Sequence, residues 1–110
     1  MKNETPVVRI FFAKMKPSFF QLSEEEQRQF MVRDRVNLDD LGMTAISMID
    51  CTESDSEWDY IGVERWPSMK ALEERECFER DELQIARYVE YKAERGVEQS
   101  FEDYGRPQST

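Results

Sequence analysis

The stretch MTAISMIDCTESDSEWDYIGVERWPSMKAL, residues 43–72, decides the fold. Met43 to Cys51 is rich in β-branched and apolar residues and reads as a strand. Thr52 to Glu57 is all polar and reads as a turn. Trp58 to Trp66 is again strand-like, so the two strands form an antiparallel hairpin. Pro67 lacks the N–H a ladder needs and ends the second strand. Ser68 then caps a helix that reaches about Arg80.

Working toward the N-terminus, Gly42 supplies a helix stop just before this hairpin. Ser23-Glu24-Glu25-Glu26 is a capping box: the Ser23 hydroxyl accepts from the Glu26 N–H, and Glu26 reaches back to Ser23. The three glutamates also suit the positive end of the helix dipole. A first long helix therefore runs from Ser23 to about Leu41. Before it, Val7 to Lys14 (VVRIFFAK) is a strand between Pro6 and Pro17, and Ser18 to Leu22 is a turn or helical lead-in. Toward the C-terminus, Asp81 to Gln84 connects to a fourth strand, Ile85 to Ala93, which Gly96 breaks. A polar tail with Phe101 and Tyr104 follows, and its last five residues are expected to be mobile. The order β-α-β-β-α-β specifies a ferredoxin-like α+β sandwich: a four-stranded antiparallel sheet with both long helices on one face. The chain is expected to be one domain over residues 1–110, with its core in 7–96 and a tail from 97.

Composition narrows the chemistry. Lys and Arg number 15 against 24 Asp and Glu, giving a net charge of −9. That balance disfavours nucleic acid and an anionic membrane surface, both of which need basic contacts. The chain has no histidine, which removes Ser-His-Asp and Cys-His nucleophile pairs, His-ligated zinc or copper and proximal-His haem. The few glycines are isolated, so no phosphate-binding loop exists, and a nucleotide cofactor is not expected. No metal-ligand spacing appears either. Cys51 and Cys77 match no zinc or redox motif and are read as reduced and buried. The N-terminus has no apolar signal region, and no apolar run approaches the roughly 20 residues of a membrane helix. These features fit a cytoplasmic protein without cofactor or metal.

Side chains alternate along a strand. Val8, Ile10 and Phe12 share one face of the first strand, and Ile61 and Val63 one face of the third. These apolar sets are assigned to the side under the helices. The mixed set Arg9, Phe11, Tyr60 and Glu64 then lies on the open face. It is too aromatic for plain solvent, so a second copy of the chain is the expected cover. Arg9 on the central strand is expected between Glu64 and Glu90, either as an ion-pair ladder or as an anchor for a polar ligand.

At 100° per residue, Phe30, Met31, Leu38 and Leu41 define the inward stripe of the first helix, and Asp34 and Asn37 fall on it. Such breaks mark a satisfied polar contact or a site. In an apolar wall Asp34 serves as a general acid or base, Asn37 holds a carbonyl or enolate oxygen, and Arg33 neutralises an anionic group. The alternative pairs Asp34 with Arg33, Arg87 or a tyrosine hydroxyl. On the second helix Met69 and Leu72 face inward with Glu73 and Glu76 nearby; Glu76 is the candidate ligand contact. Tyr60, Tyr88 and Tyr91 are aromatic strand residues whose hydroxyls can donate a proton or hold a ligand oxygen.

With this element order, Leu22-Ser23-Glu24-Glu25-Glu26, Glu64-Arg65-Trp66-Pro67-Ser68-Met69-Lys70-Ala71-Leu72 and Tyr88-Val89-Glu90, the chain resembles the dimeric α/β-barrel superfamily over residues 7–96. It is similar to small uncharacterised members and to polyketide cyclases, EthD-like proteins and cofactor-free monooxygenases. The resemblance implies that two sheets pair into a barrel and that a pocket lies between sheet and helices. The function expected is a cofactor-free isomerase, cyclase or monooxygenase acting on a small hydrophobic or aromatic metabolite between the first helix and the sheet. Asp34, Tyr60 and Glu64 are its candidate catalytic residues. Arg9, Arg33, Asn37, Glu76, Tyr88 and Tyr91 are its candidate binding residues. The alternative is a non-catalytic dimer that binds a small molecule or a protein.

Overall fold

The structure is a computed structural model and describes residues 5–102 and 104–107. The elements are β1 (Val7–Met15), a short helix α1 (Pro17–Phe20), α2 (Glu24–Asp40), β2 (Thr44–Asp50), β3 (Tyr60–Trp66), α3 (Met69–Asp81), a 3₁₀ turn (Ile85–Arg87) and β4 (Val89–Val97). The sheet is antiparallel and ordered β2-β3-β1-β4, the ferredoxin-like arrangement.

Local chemistry fixes the boundaries. Both halves of the capping box form: the Glu26 N–H donates to Ser23 Oγ at 3.1 Å, and the Ser23 N–H donates to Glu26 Oε1 at 3.0 Å. Gly42 follows α2 with φ +84°, a left-handed conformation that favours glycine after a helix. Ser68 caps α3 by accepting from the Ala71 N–H at 3.1 Å. No helix among the described residues is long and apolar enough to cross a membrane.

Two expectations are corrected. The fourth strand does not begin at Ile85. Leu83 is buried behind α3, Gln84 turns through a left-handed φ of 51°, and Ile85–Arg87 form the 3₁₀ turn. β4 then pairs along all nine residues of β1, from Val89 opposite Met15 to Val97 opposite Val7, and continues through Gly96.

The larger correction concerns the faces of the sheet. Side chains alternate along β1 and β3 as expected, but the sides are reversed. The helices cover Arg9, Phe11 and Ala13 together with Gly62, Glu64 and Trp66, and all of these but Phe11 are buried. Val8, Ile10, Phe12, Ile61 and Val63 lie on the open face and are half-buried, with the more exposed Ile49 opposite Ile61. The reason lies in α3, which brings Arg75 and Glu79 down onto Arg9 and Glu64 and gives these charges partners. Gly62 contributes too. A Cβ there would run into the Phe11 ring and lie 2.7 Å from Met48 Sδ, so the missing side chain lets that ring lie across β3 on the helix side.

Candidate functional site

The centre of the helix-covered face is ionic. Four charged residues, Arg9, Glu64, Arg75 and Glu79, are buried. Arg9 is only 1% exposed. It donates from Nε to Glu64 Oε1 at 2.8 Å and from Nη1 and Nη2 to the two oxygens of Glu79 at 3.2 and 3.0 Å. This is the bidentate geometry that suits guanidinium and carboxylate. Trp66 Nε1 donates to the same Glu64 oxygen at 3.0 Å. Arg75 Nε donates to Glu79 Oε2 at 2.8 Å, and the Tyr91 hydroxyl donates to that oxygen at 3.4 Å.

Arg75 carries the network outward to α2. Its Nη1 donates to Asn37 Oδ1 at 2.9 Å, and its Nη2 pairs with Asp34 Oδ1. Arg9 lies 5.6 Å from the Trp66 ring centroid and 5.8 Å from that of Tyr91, so aromatic faces complete its surroundings. Every buried side-chain nitrogen and oxygen among the described residues has a partner. A closed network of this kind is stable only because all members are satisfied.

Two groups show the consequence. Burial pushes the Tyr91 phenol well above its ordinary range; Arg9 pulls it back, while Glu79 and Glu64 add to the rise. Tyr91 is therefore a protonated donor and not a base. Burial works against the Arg9 charge, but the Glu79 and Glu64 carboxylates outweigh it and hold the guanidinium ionised above its ordinary range.

The expected site residues are partly brought together. Arg9, Glu64, Asp34, Asn37 and Tyr91 share one network. Asp34 meets Arg75 rather than Arg33, Arg87 or a tyrosine. Arg9 meets Glu64 as expected but not Glu90, which lies opposite Lys14 on the other face. The second acid on Arg9 comes from α3. Arg33 donates to the Glu82 backbone carbonyl at 3.1 Å and lies over Phe78. Glu76 pairs with Arg95 at 2.8 Å. Tyr88 packs edge-on against Phe30 at 5.5 Å between ring centroids. Tyr60 is half-buried on the helix side of β3. Cys77 is exposed on α3, contrary to expectation, whereas Cys51 is buried; both are free thiols.

Sequence reading missed Arg75 and Glu79. The run Glu73-Glu74-Arg75-Glu76 looks like a solvated helix face. Yet Glu79 lies seven residues after Leu72, about 20° from it around the helix axis at 100° per residue. Leu72 is fully buried, so the projection itself held the signal.

Among the described residues, two clefts flank α3, and neither of these lies between α2 and the sheet. One, of about 540 Å³, separates Glu76, Glu79 and Arg80 of α3 from Gln84, Ile85 and Arg87. Glu79 joins it to the buried network. The other, of about 300 Å³, lies between α2 and α3, with Asn37, Leu41, Cys77 and Phe78 on its walls. Asp34, one turn before Asn37, keeps 35% of its side chain exposed, whereas Arg75 keeps 4%.

The chain has a ferredoxin-like fold, a four-stranded antiparallel sheet with its long helices on one face. Its fold is similar to that of a mutant chlorite dismutase from Candidatus Nitrospira defluvii, with a TM-score of 0.67 at 9% identity. That match covers 90% of this chain but only 42% of the dismutase chain, so this chain spans less than half its length. A dabb family protein with a ferredoxin-like fold from Mesorhizobium loti matches with a TM-score of 0.56 at 13% identity, covering 88% of this chain and 100% of the other. SnoaB, a cofactor-independent oxygenase from Streptomyces nogalater, matches with a TM-score of 0.50 at 12% identity over 90% of this chain and 96% of its own. At such identities the fold is what is shared. No protein-family model matches the sequence, and no curated protein matches it either.

Proposed function

We propose that this chain works as a homodimer joined through its open sheet face, each protomer binding a small molecule at the clefts beside α3. The carrying observation is the reversal of the sheet. A face of Val8, Ile10, Phe12, Ile61, Val63 and Ile49 is turned outward while four charged residues are turned inward. An apolar surface of that extent calls for a partner, and a two-fold copy is the simplest one. The cleft of about 540 Å³ is large enough for a small metabolite, and its charged walls suit a polar, charge-bearing one.

Sedimentation velocity with native mass spectrometry tests both parts. The expected species has twice the 13.2 kDa of one chain and carries a co-purified small molecule. Ile10→Lys, on the open face, should give a folded monomer. A monomeric parent chain would overturn the dimer.

A second reading is a cofactor-free isomerase, cyclase or monooxygenase acting on a small hydrophobic or aromatic metabolite. It is favoured by Asp34, the carboxylate of the network that reaches solvent, beside the cleft that Asn37 lines. Here Asp34 is the acid or base and Asn37 holds an oxygen, while Glu64 acts on them through Arg9, Glu79 and Arg75. Returning the co-purified molecule to fresh protein separates the readings: a chemically altered product means an enzyme, and an unchanged molecule means a binding module.

A further inference from the structure

We infer that residues 98–102 and Tyr104, beyond β4, act as a clasp that grips a second copy of this chain; this rests on the dimer proposed above. The segment is tied to the open face at its root. Arg65 on β3 lies opposite Val8 on β1, and Val8 lies opposite Gly96 on β4, so all three positions share that face. Arg65 donates from Nε and Nη2 to the two oxygens of Glu98, each at 2.7 Å. The ion pair thus spans from the end of β4 across β1 to β3, at one end of the apolar surface.

Beyond this tether the segment presents apolar surface with no cover in its own protomer. Phe101 and Tyr104 stack with ring centroids 5.3 Å apart, and they are 78% and 77% exposed. Large aromatic rings in contact with each other and otherwise in water mark an interaction site, and aromatic anchors commonly dominate interface energies. The tether holds this pair at the rim of the face proposed to pair with a second copy. Phe101 follows Glu98 by three residues, so its Cα stays within about 11 Å of the tethered residue. Two-fold symmetry then makes each protomer's aromatic pair grip the other protomer.

The test is sedimentation equilibrium on the full chain, comparing the parent with Phe101→Ser/Tyr104→Ser and with Glu98→Gln. The double variant should raise the dimer Kd by tenfold or more, and Glu98→Gln by a smaller factor that high salt removes. Far-ultraviolet circular dichroism at a concentration where all are monomeric should be the same for the three, because the altered residues are exposed. A double variant that dimerises as tightly as the parent overturns the clasp and leaves the dimer standing. A parent chain that is monomeric overturns both.

Discussion

Tyr91 is the residue whose behaviour the buried network controls most directly. Its phenol is pushed upward by burial beside Glu79 and Glu64. The folded pKa therefore exceeds the unfolded value of about 10. A group of this kind contributes its stability fully below the unfolded pKa and loses it as pH rises toward the folded pKa. The expected outcome is a fall in unfolding free energy above about pH 10, with a slope of up to about 1.4 kcal/mol per pH unit from this group. Tyr91→Phe removes the ionisable group and flattens that part of the profile. Urea denaturation of both proteins between pH 8 and 11 measures the difference. Parallel profiles would show that Tyr91 titrates normally.

Among the elements, α3 has the most consequence and was the least legible. Its start could be read from Pro67 and Ser68, as the α2 start could from the capping box, because caps are local chemistry. The inward placement of Asp34 and Asn37 on α2 was legible for a similar reason: polar residues interrupted an apolar stripe. On α3 the inward stripe is Leu72, Arg75 and Glu79, and two of its three members are charged. Hydrophobic periodicity does not register such a stripe. The same blindness reversed the sheet. Alternation separates the two faces of β1 and β3 but not which of them the helices cover, and apolarity is a poor guide when a helix carries its own counter-charges. Glu79 joins Arg9 to Arg75, so removing its charge leaves two buried guanidinium groups short of a partner. Glu79→Gln should cost about 3–5 kcal/mol, the range for breaking a buried ion pair. Glu76→Gln, on the half-exposed Glu76–Arg95 pair, should cost about 1 kcal/mol or less. Equal losses in chemical denaturation would mean that the buried network has no special weight.

For the whole molecule, the balance of buried and exposed surface is unusual for a chain that stands alone. α2 spans 17 residues and has no fully buried one. The apolar cluster of Val7, Trp66 and Leu72 is small, and the charged network fills much of the remaining space under the helices. Small domains have little stability to spare. Meanwhile Val8, Ile10, Phe12, Ile61 and Val63 remain half-buried on the open face, where covering the exposed remainder of each side chain would add about 1 kcal/mol. In a homodimer, folding and association are therefore one linked equilibrium. The melting temperature should rise with protein concentration, by about 5 °C over a hundredfold range for a chain of this size. Ile10→Lys places a charge in the middle of that face and should make melting independent of concentration, at a temperature no higher than that of the most dilute parent sample. Scanning calorimetry or dye-free fluorimetry from micromolar to hundreds of micromolar reads both. A parent melting temperature that stays constant over this range would mean that each protomer draws its stability from the helix-covered face alone, ion pairs included.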